Sequence, residues 1–201
     1  MNLYDELKER GLIYQVSNEE AVKKYFDKKG YFYAGFDPTA TSLTIGNLLV
    51  IALMKRLEKA GLKPIALVGG ATGMVGDPSG KREERVLRSE KDVKESTAAI
   101  KKQLTNFFDI KKIKFVNNLD WFSKISLIEF LRDIGKRFSV NEMLAKEAVK
   151  NRLQEGISYT EFSYMLLQAY DFLNLHKKFD CRLQIGGSDQ WGNITAGIEL
   201  V

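Results

Sequence analysis

Cysteine and histidine are almost missing from this sequence, with one of each in 201 residues: Cys181 and His176. A lone thiol cannot close an internal disulfide, so nothing points to an oxidising compartment. One histidine and one cysteine cannot supply the nitrogen and sulfur ligands of a zinc centre, which excludes that chemistry. Only three prolines occur, and no low-complexity tract or Pro-rich linker divides the chain. No apolar run reaches the roughly 20 residues of a membrane-spanning helix. The N-terminal M-N-L-Y-D-E-L-K-E-R is charged from its start, unlike a secretory signal. The expected compartment is the cytoplasm, with no membrane partner.

What is present suits one globular domain. The chain is 44% hydrophobic and 28% charged, long enough for a real core. Its formal charge of +5 is compatible with a polyanionic partner without requiring one.

Periodicity predicts alternating elements. Leu3–Glu9 has a short amphipathic pattern, and Ser17-Asn18-Glu19-Glu20 forms a capping box for a second helix that stops at Gly30. Apolar runs at Tyr31–Phe36, Lys63–Gly69, Lys112–Val116 and Arg182–Ile185 predict strands. Helices are expected over Ile45–Ala60, from near Ser89, over Ser126–Ile134, Asn141–Arg152 and Thr160–Leu175, and from near Asn193. The alternation predicts an α/β fold with a doubly wound parallel sheet and a helical insertion. Ligands of such sheets sit at the carboxyl ends of the strands. Four segments fall there: Asp37 to Asn47, Gly69 to Lys81, Asn117 to Asp120, and Gly186 to Gln190.

G-F-D-P-T-A-T-S-L-T-I-G-N, from Gly35 to Asn47, is a strand, a turn and a helix start that presents Gly46, the geometry that receives a phosphate. The plain structural alternative is a turn capped by Thr39, Thr41 or Ser42. Tyr164, Gln168 and Asp171 share one helix face at i, i+4 and i+7. Apolar residues interleave with them, so the helix is expected to be buried and its polar groups hydrogen-bonded. In Q-I-G-G-S-D-Q-W-G-N, Gln184 to Asn193, Ser188 or Asp189 is the expected cap. K-R-E-E-R at 81–85 has the composition of a solvated face. His176 is expected at a helix end, and Cys181 as a small buried hydrophobe.

Together with V-G-G-A-T-G-M-V-G-D-P-S-G-K (Val68 to Lys81) and G-I-S-Y-T-E-F-S-Y-M-L-L-Q-A-Y-D-F (Gly156 to Phe172), these segments resemble the class I aminoacyl-tRNA synthetases. The resemblance is specifically to bacterial-type tyrosyl-tRNA synthetases, and it runs the length of the chain. It departs at one place: two histidines of the family motif D-P-T-A-x-S-L-H-I-G-H are replaced by Thr44 and Asn47.

The resemblance implies activation of tyrosine with ATP, supplied as its Mg²⁺ complex and without a protein-held metal, then transfer to tRNA(Tyr). It places Tyr33 and Asp171 at the substrate phenol, and Asp77, Tyr164 and Gln168 at its ammonium. Gln190 reaches the carboxyl group or the α-phosphate. Gly35, Asp37, Thr39, Gly46, Asn47, Gly187 and Asp189 meet the nucleotide. Thr39, Thr44, Asn47, Lys81 and Arg85 serve the phosphates. It also implies a homodimer meeting around Asp120 to Tyr159, including Phe130, Phe138, Met143 and Tyr159. Residues 1–201 are expected to be the catalytic domain, ending mid-helix at I-E-L-V. The anticodon-binding and RNA-binding modules and the K-M-S-K-S-like loop would lie outside them. Neutral Thr44 and Asn47 also leave open a rival: a tyrosine-binding paralogue with impaired catalysis.

Overall fold

The computed structural model describes residues 2–80, 86–154 and 156–201. Four parallel strands make one sheet: β1 (Tyr31–Phe36), β2 (Lys63–Val68), β3 (Lys114–Asn117) and β4 (Leu183–Gln184), in the order β3-β2-β1-β4. The chain steps outward from β1 to β2 to β3, then returns to lay β4 on the far side of β1. Tyr33 therefore lies between Ile65 of β2 and Gln184 of β4. The reversal between β1 and β4 is the switch point at which loops diverge and a crevice opens.

Alternation along β1 supplies two cores. Phe32, Ala34 and Phe36 face one side and pack with Ile51, Met54 and Leu57 of helix α3 (Ile45–Lys59) and with Ile100 and Leu104 of α5 (Glu90–Leu104). Tyr33 faces the other side, with Ile65, Leu67, Trp121, Phe172 and Leu175. Burying a side chain of Phe or Met size contributes about 1.5–3 kcal/mol, so these two layers fix the sheet between its helices. A third cluster, with Met143, Val149, Met165 and Ala196, joins α8 (Val140–Ala145), α9 (Glu147–Leu153), α10 (Tyr159–Phe179) and α11 (Trp191–Leu200). Cys181 is fully buried, and burial pushes its thiol up to about 12.

The predicted order of elements holds, and several ends differ. α1 (Leu3–Glu9) is as expected, whereas α2 (Glu19–Lys28) is capped by Asn18, which accepts from Ala21 N at 2.9 Å, and not by Ser17. Lys29, left-handed at φ 52°, ends α2 one residue before Gly30. The helix predicted over Asn141–Arg152 is two, broken at Lys146 in an extended conformation. That lysine reaches across to Thr195 and Glu199 of α11, a tertiary contact that overrides local propensity. The helix predicted over Ser126–Ile134 is a short α7 (Leu127–Glu129) that runs into a π-turn, Phe130–Ile134. Two four-residue helices, α4 (Thr72–Val75) and α6 (Leu119–Phe122), were not foreseen. α10 extends four residues past Leu175, with His176 in its last turn.

Candidate functional site

Tyr33, near the middle of β1, is 1% exposed, and among the described residues its hydroxyl has no hydrogen-bond partner. Asp171 on α10 is 2% exposed, with each carboxylate oxygen held by one donor. Trp121 Nε1 donates to Oδ1 at 2.8 Å and Asn118 Nδ2 donates to Oδ2 at 3.1 Å. Burial raises the Asp171 carboxyl well above the usual range, against the pull of its two donors. Burial also raises the Tyr33 phenol, and the negative charge of Asp171 adds to the effect. Both groups thus sit in the buried layer of Trp121 and Phe172, a dry polar chamber. Gln184 Oε1, beside Tyr33 across the β1/β4 pairing, is a second buried atom without a partner.

Tyr164 lies seven residues before Asp171, on the same face of α10, with half-buried Gln168 between them. The Tyr164 hydroxyl donates to Asp37 Oδ2 at 2.7 Å, and Thr72 Oγ1 donates to Asp37 Oδ1 at 2.7 Å. Asp37, expected at the nucleotide, is also tied to the helix that carries Tyr164 and Asp171. Gly69 is required beside it, since a Cβ there would lie 1.9 Å from Asp37 Oδ1. Asp77 accepts from Gln190 Nε2 at 2.6 Å and from Ser79 N at 2.9 Å. Burial raises the Asp77 carboxyl, partly offset by Gln190 and Ser79. Tyr164 is pushed up by burial, then by the charges of Asp37, Asp77 and Asp171. The structure thus gathers Tyr33, Asp171, Tyr164, Asp37, Asp77 and Gln190 along the N-terminal and middle turns of α10.

The phosphate side is built differently. Thr44 is the N-cap of α3 and forms a capping box with Asn47. Thr44 N donates to Asn47 Oδ1 at 2.9 Å, Asn47 N donates to Thr44 Oγ1 at 3.4 Å, and Thr44 Oγ1 donates to Asn47 Oδ1 at 2.9 Å. The caps expected at Thr39, Thr41 or Ser42 are not used. The single hydroxyl proton of Thr44 is thereby engaged in the box, and Asn47 keeps its Nδ2 outside it. Gly46 is exposed in the first turn of α3, and Gly35 is exposed on β1 with nothing near its missing Cβ. Thr39 is exposed as well. Gln103 of α5 staples the loop, accepting from Leu43 N and donating to the Thr41 carbonyl.

At the other end of the crevice, a Cβ on Gly187 would meet Asp189 Oδ1 at 2.4 Å, so glycine lets that exposed carboxylate fold back over the turn. Neither Ser188 nor Asp189 caps α11: a 3₁₀ turn, Ser188–Gln190, intervenes. Lys81 and Arg85 lie outside the described residues. A cavity of about 680 Å³ flanks β4, lined by Gly186, Gly187, Leu183 and the segment from Gly11 to Ser17; neither Tyr33 nor Asp171 lines it.

Trp121 and Thr72 are site residues that the sequence did not reveal. A signal existed for Trp121: a buried indole N–H needs an acceptor, and Asp171 was the buried acceptor available.

The family description "tRNA synthetases class I (W and Y)" matches residues 27–201. A tyrosine–tRNA ligase of Bacillus velezensis is 56% identical over 205 residues, covering 100% of this chain and 49% of the relative. One of Geobacillus stearothermophilus is 54% identical over 206 residues, with the same coverage. The chain thus spans about half the length of the curated relatives it matches. Among solved structures, a C-terminally truncated mitochondrial tyrosyl-tRNA synthetase of Aspergillus nidulans superimposes with a TM-score of 0.87 at 33% identity, over 100% of this chain and 61% of that one. A tyrosyl-tRNA synthetase of Archaeoglobus fulgidus, complexed with L-tyrosine, shares the fold at a TM-score of 0.75 and 18% identity, over 92% of this chain and 54% of that one. A parallel sheet with its buried polar chamber at the switch point, and a family match from Asp27 to the last residue, carry one conclusion: this chain belongs to the class I tRNA synthetases, in the group formed by the W and Y enzymes.

Proposed function

We propose that residues 1–201 are the tyrosine- and nucleotide-binding domain of a tyrosine–tRNA ligase. The observation that carries this is the buried Tyr33 hydroxyl, without a partner, in the chamber of Asp171. A ligand phenol satisfies both groups, donating its proton to Asp171 and accepting from Tyr33. A phenylalanine ring leaves Tyr33 unpaired and gives Asp171 no third donor, an omission that costs about 1–3 kcal/mol per buried group. The ammonium is assigned to Asp77, Tyr164 and Gln168, where Tyr164 already lies in the fields of three carboxylates. Gln190 is assigned to the carboxyl group or the α-phosphate.

In the proposed reaction a carboxylate oxygen of tyrosine attacks the α-phosphorus of ATP. An O–P bond forms, the bond to the β-phosphate bridge breaks, and pyrophosphate leaves with the electron pair. Charge grows on the leaving group, where Thr39, Asn47 Nδ2, the free N–H groups of the first turn of α3, Lys81 and Arg85 are assigned to meet it. Gly35, Gly46, Gly187 and Asp189 are assigned to the nucleoside, and the adenylate then passes to tRNA(Tyr). Mg²⁺ is assigned to the triphosphate, as its counter-ion. The proposed setting is the cytoplasm; no described helix is long and apolar enough to cross a membrane.

A homodimer is part of the proposal. Leu127, Ile128, Val140 and Tyr159 are 59–74% exposed along one stretch of the helical insertion, an apolar face that a second copy would cover. Met143, expected in that contact, is buried within its own chain.

Tyrosine-dependent exchange of pyrophosphate into ATP tests the proposal, and clear exchange by the chain in its full-length context is expected. One observation favours a second reading, a tyrosine-binding paralogue: the Thr44 hydroxyl is engaged in its cap. Tight tyrosine binding with no exchange would support that reading and overturn the ligase.

A further inference from the structure

The edge of the sheet opposite the candidate site is basic. In a parallel sheet every entering segment lies on one side, and here all four carry lysine: K-K-G at 28–30, L-K-P at 62–64, K-K-I-K at 111–114, and K-K-F-D-C-R at 177–182. These lysines are exposed. Among the described residues none of them is ion-paired with a carboxylate; the acid of that last segment, Asp180, is taken by Arg182 at 2.8 Å and lies 4.0 Å from His176.

Three of these lysines are held in place by rings. Lys63 Nζ and Lys114 Nζ lie 5.3 and 5.6 Å from the centre of Tyr31, the first residue of β1. Lys114 Nζ also lies 5.4 Å from Phe179, and Lys178 Nζ lies 5.4 Å from Trp121. An aromatic face positions an ammonium without neutralising it, as a carboxylate would. Complementing helix C-termini explains Lys28, Lys177 and Lys178, but not Lys63 and Lys114, which open strands. Adjacent strands stand about 4.8 Å apart, so the row spreads positive charge over roughly 15 Å.

We propose that this edge is an RNA-binding surface, which takes the phosphodiester backbone of an RNA on Lys63, Lys114 and Lys178. A row of fixed, unneutralised point charges suits phosphates. The rings beneath are buried or half-buried, so the surface lacks the open aromatic anchor of a protein interface. The choice of RNA rests on the ligase proposal; the surface itself does not.

The test is fluorescence anisotropy of a labelled RNA hairpin titrated with the 201-residue chain at several salt concentrations. A triple variant, Lys63→Gln, Lys114→Gln and Lys178→Gln, is compared with a charge-matched control, Lys91→Gln, Lys94→Gln and Lys136→Gln. The triple variant is expected to bind the hairpin roughly tenfold or more weakly, with a salt slope lower by about 2–3, while the control stays near the parent. Calorimetric tyrosine binding should be the same in all three, which also shows that the triple variant is folded. Equal hairpin binding by the two variants, or no binding by the parent at low salt, overturns the surface. Capture of phosphatidylserine vesicles in place of the hairpin, lost in the same triple variant, overturns RNA as the occupant. A parent that binds the hairpin but not tyrosine breaks the ligase proposal alone.

Discussion

Tyr33, Tyr164 and Asp171 are 1%, 4% and 2% exposed, whereas Thr39, Thr44 and Gly46, on the other side of the same crevice, all face solvent. In the buried half most polar atoms have a named partner; among the described residues the Tyr33 hydroxyl and Gln184 Oε1 have none, and the proposed function gives the first of these to a ligand atom. In the exposed half the groups satisfy each other: Thr44 and Asn47 close a box. The difference lies in what water can do. A missing donor at the surface is replaced by solvent, so two neutral residues in place of histidines cost the fold nothing. A missing donor in the chamber is replaced by nothing, so selection among ligands belongs there. Substitutions on the two sides should therefore have separable effects, on rate and on selectivity.

The largest effect is expected from Thr44→His with Asn47→His, which returns charge-bearing donors to the exposed half. Pyrophosphate exchange should rise about 10²-fold, tyrosine affinity should hold, and stability should fall by about 1 kcal/mol as the box is lost. An unchanged exchange rate would break the idea that neutral donors limit this half. Next is Asp171→Asn. Tyrosine affinity should fall by about 10- to 100-fold, with a smaller loss for phenylalanine; equal losses would remove Asp171 from the phenol contact.

Tyr33→Phe deletes the orphaned hydroxyl. The ligand-free chain should gain about 1 kcal/mol in denaturant unfolding while tyrosine affinity drops about fivefold. A loss of stability instead would mean that the hydroxyl is not isolated.

The smallest effect is the pH profile. Asp77 and Asp171 have raised carboxyl pKa values, so their contribution is fully present below the ordinary carboxylate range and fades as pH rises through the folded values. From about pH 4, the ordinary carboxylate value, upward, the melting temperature of the ligand-free chain should decline. Saturating tyrosine should flatten the decline, because its ammonium compensates the charge. Glu19, drawn down to about 2 by Lys23 and Lys8, acts oppositely and only at lower pH. A rising profile over the stated range would count against the raised carboxyls.

The strands were legible because aromatic and β-branched runs such as Y-F-Y-A-G-F and I-A-L-V are short and bounded by glycine or charge. The buried face of α10 was legible because Tyr164, Gln168 and Asp171 fall on one stripe among apolar neighbours. Caps were not. Thr39, Thr41, Ser42 and Thr44 are all plausible within six positions, and the choice rests on Gln103, some sixty residues away, pinning the loop. Trp121 was obscure for the same reason: its bond to Asp171 spans fifty residues. Local pattern identifies which groups must be satisfied; it does not say by whom.

Asp37 shows what such a distant tie entails. Its two oxygens are claimed by Thr72 and Tyr164, and the backbone of Gly69 stands where any larger residue would dislodge it. The carboxylate thus acts as a keystone between the turn after β1 and helix α10, such that loosening either one would be felt in the other.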